Sequence, residues 1–358
     1  MPRPQTAFAL VTSSLFCFFP VVEVRPGAPF YSDKTNLLSY RDSAGRDHII
    51  TSPDQWTIRR AHILANMQEV MGPLPAASPK VPLDAQVSEE TATALYVRKK
   101  LTFAVETNDR VPAYLLIPRA RQARLPAVLC LHQTISIGKK EPAGLGSSES
   151  LRYAVHLAER GYVTLAPDYP SFGDYPYDFD HSSYKSGSMK AIWNNMRGID
   201  LLQSLPEVDP ERIGCIGHSL GGHNTMFTAV FDTRIKALVS NCGFTSFPKY
   251  FAGNLKGWTS PRYMPRIASV YESRPEKMPF DFSEVVAAFA PRAFLACAPL
   301  HDDNFEVCGV RDVMGAAKPV YELLAVPQKL AAHYPDCRHD FPLESRKIAY
   351  EWLDRWLK

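Results

Sequence analysis

The chain has 358 residues, 46% hydrophobic and 22% charged, and a formal net charge of +3. That is the balance of a globular protein with ample length for a sizeable core, in one large domain with extensions or in two. No run of basic residues stands out, so nothing points to nucleic acid or to an anionic membrane surface as a partner.

Seven cysteines are present, and Cys130, Cys215 and Cys297 each fall inside a short apolar run, where they read as buried thiols. Their spacing offers neither a disulfide framework nor a C-x-x-C zinc pattern. Arg3 precedes an apolar stretch from Ala7 to Val22, broken by Thr12, Ser13, Ser14 and Pro20. This has the layout of a secretory signal, though without a small-x-small cleavage site, and residues 1–29 are read as a leader. The expectation is a secreted or periplasmic location, with a cytoplasmic one as the alternative. No later segment is apolar enough to span a bilayer.

Residues from about 30 to 50 read as irregular. "SPDQWTIRRAHILANMQEVMG" then predicts a helix, with Ser52 or Asp54 as cap, apolar residues recurring at three and four, and Gly72 as its end. "TALYVRKKLTFAV" and "VPAYLLIPR", separated by "ETNDR", predict an antiparallel strand pair. Residues 30–110 thus form an N-terminal extension, its strands expected to join the sheet and its helix to pack outside it. From 111 to 358 short apolar runs alternate with helical stretches. "AVLCL", "YVTLAP", "RIGCIG", "KALVSN", "RAFLACAP" and "QKLAAHYP" read as strands; "SLRYAVHLAERG", "SMKAIWNNMRGIDLLQSL", "SLGGHNTMFTAVF" and "SRKIAYEWLDRWLK" read as helices. This alternation predicts an α/β fold, a mostly parallel central sheet with helices on both faces. A lid-like insertion spans about 243–290. In such sheets ligands bind at the carboxyl ends of the strands, and every candidate residue below falls at such an end.

The stretch "RIGCIGHSLGGHNT" places Ser219 between a strand and a helix, within Gly217-x-Ser-x-Gly221. The five-residue pattern arises by chance often enough that its surroundings must decide. A serine on a strand-to-helix turn needs small neighbours two before and two after, because strand and helix pass close together. The turn points the hydroxyl out of the sheet and sets the next amides at a helix N-terminus, where they can stabilise an oxyanion. A capping serine in a tight turn is the bland alternative. A serine nucleophile needs a base and the base an orienting acid, in the chain order Ser, acid, His. His339 in "CRHDFP", after the last strand, is the base candidate; His333 competes but lies inside an apolar run. Asp302 and Asp303 in "PLHDDNFEV" are the acid candidates, Asp302 preferred. Leu220 supplies one oxyanion amide, and the loop "HQTISIGKKEPAGLG" supplies the other through Thr134, with Gln133 as the alternative. "GKKEPAG" lacks phosphate-loop spacing. A metal site built from His301 with His132, His218 or His223 has no ligand spacing behind it.

With these residues in hand, the chain resembles the α/β-hydrolase superfamily, and within it the dienelactone hydrolase-like and acetyl xylan esterase-like branch. The resemblance rests on "LCLHQT", "RGYVTLAPDYPSFGD", "RIGCIGHSLGG", "PLHDDNFEV" and "CRHDFP", and covers roughly residues 110–358. It implies a Ser219–Asp302–His339 triad, no cofactor, and hydrolysis of carboxylic esters; no metal is expected, since no ligand spacing supports one. Phe305, three places after Asp302, fits the branch's pattern at the acid. Two features depart from it: His132-Gln133-Thr134 stands where many relatives have His-Gly, and the nucleophile is serine where dienelactone hydrolases use cysteine. The expected partner is a small-molecule or carbohydrate ester, acetylated carbohydrate at the level of family analogy. Gln133, Tyr169 and Trp258 are expected to touch it. Tyr169, Phe172, Tyr175 and Tyr177 in one segment, and Trp258 and Tyr263 in another, carry the aromatic rings that suit such a substrate. A prolyl oligopeptidase-like peptidase, an acyltransferase and a non-catalytic binding protein are the other readings. The oligomeric state is left open.

Overall fold

The computed structural model describes residues 27–75, 80–120 and 123–358. Most of the leader stretch therefore lies outside the described residues, and with it the expectation of export. Among the described residues, no helix is long and apolar enough to cross a membrane.

The segment read as irregular holds a short hairpin, β1 (Ser39–Arg41) with β2 (Asp47–Ile49). Its three-residue strands are too short to show a period-two pattern. Helix α1 (Pro53–Met71) follows as expected: Ser52 accepts from the Gln55 N–H, Pro53 fills the first helical position, and Gly72 closes the helix at φ 92°. Strand β3 (Gln86–Ala92) was not anticipated, because all seven residues are exposed and carry no apolar alternation. The expected pair is β4 (Tyr96–Glu106) and β5 (Asp109–Pro118), antiparallel.

The alternating region gives β6 (Leu125–Leu131), α2 (Tyr153–Glu159), β7 (Val163–Pro167), α3 (Gly187–Ser204), β8 (Val208–His218), α4 (Leu220–Phe231) and β9 (Ile235–Asn241). Within the insertion lie a four-residue α5 (Arg266–Ser269) and α6 (Phe282–Ala287). Then come β10 (Ala293–Cys297), α7 (Val307–Leu323), β11 (Leu330–His333) and α8 (Leu343–Leu357). Helix α7 was missed: Pro319 and two glycines interrupt its sequence, although Val310, Val313, Met314, Ala317, Val320 and Tyr321 make a buried stripe.

Among the described residues, nine strands form one sheet in the order β11-β10-β9-β8-β6-β7-β5-β4-β3. β11, β10, β9, β8, β6 and β7 run parallel. β5, β4 and β3 join by antiparallel pairing. This is the α/β-hydrolase fold, with helices on both faces of the sheet. After β6 the chain pairs β7 on one side and then crosses to β8 on the other, so the switch point lies at the carboxyl ends of β6 and β8.

The insertion is welded to the core. Phe244, Phe247, Trp258, Phe280 and Phe282 are buried with the main apolar cluster. The Arg59 guanidinium of α1 lies fully buried, 2.7 Å from Glu284 of α6, so the N-terminal helix and the insertion are pinned together. Burial nevertheless pushes the Glu284 carboxyl up to about 7. Arg60 of α1 adds bonds to the Ala288 and Val230 carbonyls, both at 2.9 Å.

The tightest constraint falls at the start of α4. A Cβ on Gly221 would stand 1.8 Å from the Leu131 carbonyl oxygen, and one on Gly217 would stand 2.1 Å from the Gly221 carbonyl oxygen. Gly315, inside α7, would meet nothing within 4 Å. Gly221→Ala should therefore cost soluble protein or lower the unfolding midpoint sharply, whereas Gly315→Ala should raise stability by about 0.5–1 kcal/mol through helix propensity. Parallel thermal melts check both; a tolerated Gly221→Ala would contradict the close approach.

Candidate active site

Strand β8 and helix α4 meet at Ser219, whose backbone sits at φ 55°, ψ −116°. A non-glycine residue at positive φ costs on the order of 1–3 kcal/mol and persists only where surrounding bonds impose it. Here the Ser219 N–H donates to the Asn241 carbonyl at 2.9 Å, and its carbonyl accepts from the His223 N–H at 3.2 Å. Leu220 opens α4, so its N–H is one of the first-turn amides without an intrahelical acceptor.

His339 lies in the loop between β11 and α8. Its Nδ1 stands 2.9 Å from each carboxylate oxygen of Asp302. The Asp302 side chain is 1% exposed and that of His339 20%, so the acid is buried behind a ring that still reaches the pocket. Asp302 Oδ1 also accepts the N–H groups of Asn304 (2.8 Å) and Phe305 (3.1 Å). Asp303 instead pairs with Arg338 in solvent. The structure thus brings Asp302, not Asp303, to His339. His333 lies in β11, paired alongside Cys297.

Behind this pair sits His218, with its ring 4.8 Å from that of His339. Asn241 Nδ2 donates to His218 Nδ1 at 2.6 Å, which leaves the ring hydrogen on Nε2. Asn241 Nδ2 also reaches the Asp340 carbonyl, tying β9 to the His339 loop. Among the described residues, the one cluster of metal-ligating groups is Cys242, Asp302 and His339, with ligand atoms within 4.8 Å. Burial holds the Cys242 thiol well above its ordinary pKa. His301 pairs with Asp336 on the surface, away from His132, His218 and His223, each of which has its own buried surroundings.

The loop after β6 is fixed from several directions. His132 Nε2 accepts the Tyr169 N–H at 2.9 Å, so Nδ1 carries the hydrogen and donates to the Gln133 carbonyl at 2.6 Å. Gln133 Nε2 donates to both Glu141 oxygens, at 3.1 and 3.0 Å. Thr134 Oγ1 lies 3.0 Å from the Tyr263 hydroxyl. "GKKEPAG" turns out to be a structural clamp: Lys139 Nζ bonds Asp168 at 2.6 Å and Asp174 at 2.8 Å, with the Lys139 and Asp168 side chains both fully buried. Lys139 also holds the Asp174 carboxyl down to about 2.

Ser219, Leu220 and His339 share a pocket of about 260 Å³ with Gln133 and Thr134. Its other walls are Tyr250, Trp258, Tyr263, Asn304 and Phe305, with Gly257 and His223. Of the expected substrate contacts, Gln133 and Trp258 reach this pocket. Tyr169 does not: it is buried and its hydroxyl donates to the Arg262 carbonyl at 2.6 Å, bracing the insertion. Phe172 and Tyr175 are likewise buried, and Tyr175 bonds Asp109. The aromatic wall comes from the second segment and from Phe305. Asn241, the Lys139–Asp168 clamp and the loop-bracing role of His132 escaped the sequence reading, although His132 and Asp168 stand at strand carboxyl ends where such sheets bind ligands.

Three of these histidines are buried neutral. Burial lowers His132 and pushes His218 and His223 down to about 3. Each binds a proton more readily in the unfolded chain, near 6.5, so each removes stability as the pH falls below about 6.5, His218 and His223 doing so down to about 3. Buried Asp281 and Glu284, pushed up to about 6 and 7, act in the opposite sense over the same range. The difference between two proteins isolates one group: relative to wild type, His223→Phe should gain stability on going from pH 6.5 to pH 4, by about 1.4 kcal/mol per pH unit. Denaturant unfolding at several pH values checks this; a constant difference would contradict it.

Comparison with known proteins bears on this site. The protein YtaP of Bacillus subtilis, a hydrolase by name, is 25% identical over 83% of this chain and 100% of its own. A glucuronoyl esterase from Solibacter usitatus superposes with a TM-score of 0.70 at 20% identity, covering 92% of this chain and 99% of that one. An acetyl xylan esterase from Paenibacillus sp. R4 superposes with a TM-score of 0.57 at 17% identity, covering 82% of this chain and 99% of that one. At these identities the two structures establish the fold, which they share with this chain. Residues 149–358, more than half of the sequence and including Ser219, Asp302 and His339, match the prolyl oligopeptidase family, peptidase family S9, and the chain belongs to that family.

Proposed function

We propose that the protein hydrolyses carboxylic esters through an acyl-enzyme on Ser219. The observation that carries this reading is the strained turn at Ser219 opening into the same pocket as the Asp302-bound His339. The Ser219 hydroxyl attacks the ester carbonyl carbon while His339 Nε2 takes its proton. Asp302 holds the Nδ1–H tautomer and stabilises the imidazolium. The amides of Leu220 and Thr134 receive the developing oxyanion, with the Gln133 amide as the neighbouring alternative to Thr134. The carbon–oxygen bond to the alcohol breaks, and the proton on His339 passes to the leaving oxygen. Water then attacks the acyl carbon, gives its proton to His339, and Ser219 recovers it as the acid departs.

The carbohydrate-ester names of the structural relatives and the aromatic wall of Tyr250, Trp258 and Tyr263 favour a small carbohydrate ester as substrate. The organisation that accompanies this reading is a leader (1–29), an extension (30–110) and a catalytic core (111–358) whose insertion at about 243–290 builds the wall. The family assignment favours a second reading, peptide hydrolysis on the same triad.

Turnover of p-nitrophenyl esters, acetate to octanoate, against proline-directed peptide p-nitroanilides separates the two. Ester turnover should dominate, and Ser219→Ala should lower it by about 10⁴-fold or more with the fold intact. Peptide cleavage without ester turnover would favour the second reading; unchanged turnover in Ser219→Ala would overturn both.

A further inference from the structure

Two buried polar groups on the pocket wall are without partners. His223 is 6% exposed and Trp258 3%, and neither imidazole nitrogen nor the indole Nε1, each closed to solvent in the free protein, finds a hydrogen-bond partner in the protein. The Gly243 backbone lies close enough to favour the charged ring slightly, but neither nitrogen reaches hydrogen-bonding geometry. The two rings pack edge to face at 4.7 Å between centroids, with Tyr263 at 6.3 Å and Phe227 at 5.6 Å from His223. An unsatisfied buried donor or acceptor costs about 1–3 kcal/mol, and such groups in native proteins call for a specific explanation. Two of them sit together on one pocket, four residues and one loop from Ser219.

From this juxtaposition we propose that His223 and Trp258 form a polar subsite that hydrogen-bonds a hydroxyl group of the ester, so that the substrate is a hydroxylated, sugar-like ring and not an apolar one. This rests on the esterase reading and assigns its specificity. The imidazole, kept neutral by burial, both donates and accepts, as a hydroxyl requires of its partner. A half-turn about χ2 exchanges the ring's nitrogen and carbon positions, so whichever edge faces the ligand can offer a nitrogen. The indole N–H donates only, and it complements a second hydroxyl or ring oxygen. The Tyr250, Tyr263 and Phe305 faces around it suit the C–H side of a sugar ring. Both groups are already shut off from water in the free protein, so a hydroxyl that reaches them supplies a partner they otherwise lack, and a site built around a hydroxyl discriminates strongly against the analogue that lacks it.

Two matched pairs of esters test this: an acetylated pyranose against cyclohexyl acetate, and the methyl ester of a hexuronic acid against methyl cyclohexanecarboxylate. Wild type should prefer the hydroxylated member of at least one pair by about 10-fold or more in kcat/KM. His223→Phe should reduce that ratio to within about threefold of unity, whatever happens to the absolute rates, and Trp258→Phe, which deletes the N–H and keeps a ring, should reduce it in part. The second variant carries the test if the first does not fold. A wild-type ratio near one in both pairs, or a ratio unmoved in the folded variants, would overturn the subsite. Absence of wild-type turnover on all four esters and on p-nitrophenyl acetate would overturn the esterase reading itself, and is distinguishable for that reason.

Discussion

The structure depends on one close approach, that of the first turn of α4 to the end of β6. Gly221 leaves no room for a Cβ beside the Leu131 carbonyl, and Gly217 none beside Gly221. The approach forces Ser219 into its positive-φ conformation and sets the α4 amides at the switch point of the sheet. Everything else at the site is arranged around that fixed corner. β9 holds the Ser219 N–H through Asn241, and the same Asn241 side chain ties His218 and the His339 loop to it.

The loop after β6 faces this corner and is held as firmly. His132 locks the Gln133 carbonyl through a tautomer that the Tyr169 N–H selects. Farther along, the buried Lys139 binds Asp168 and Asp174 of the loop after β7. Removing one partner of such a buried pair leaves an uncompensated charge, so the two loops behave as one unit. The proposed mechanism needs oxyanion donors that do not reorganise during reaction, and this bracing fixes the backbone of Gln133 and Thr134 from which it draws one of them.

Much of this was legible in the sequence because it follows from strong local patterns. Short continuous apolar strands, the cap at Ser52 and the glycines around Ser219 each reflect a backbone or burial requirement that few residues satisfy, and the candidates Asp302 and His339 were picked out because both fall in loops at strand carboxyl ends. What escaped notice had weak or conflicting local signals. β3 is wholly exposed, and its place is set by pairing with β4. Helix α7 hides its buried stripe behind Pro319 and its glycines. Tyr169 illustrates a different limit: composition marks an aromatic beside a site, but only packing decides whether its ring meets the substrate or, as here, its hydroxyl braces Arg262. The unpaired state of His223 and Trp258 depends entirely on tertiary surroundings and leaves no trace in the sequence.

The central claim is that Ser219 is the activated nucleophile of this pocket. Reaction with a fluorophosphonate probe, followed by peptide mapping of the adduct, tests it without presupposing the natural ester, because the probe needs only a serine hydroxyl activated by a neighbouring base. The account predicts a single adduct on Ser219, lost in Ser219→Ala and strongly slowed in His339→Ala. An adduct on another residue, or labelling that persists in Ser219→Ala, would contradict it.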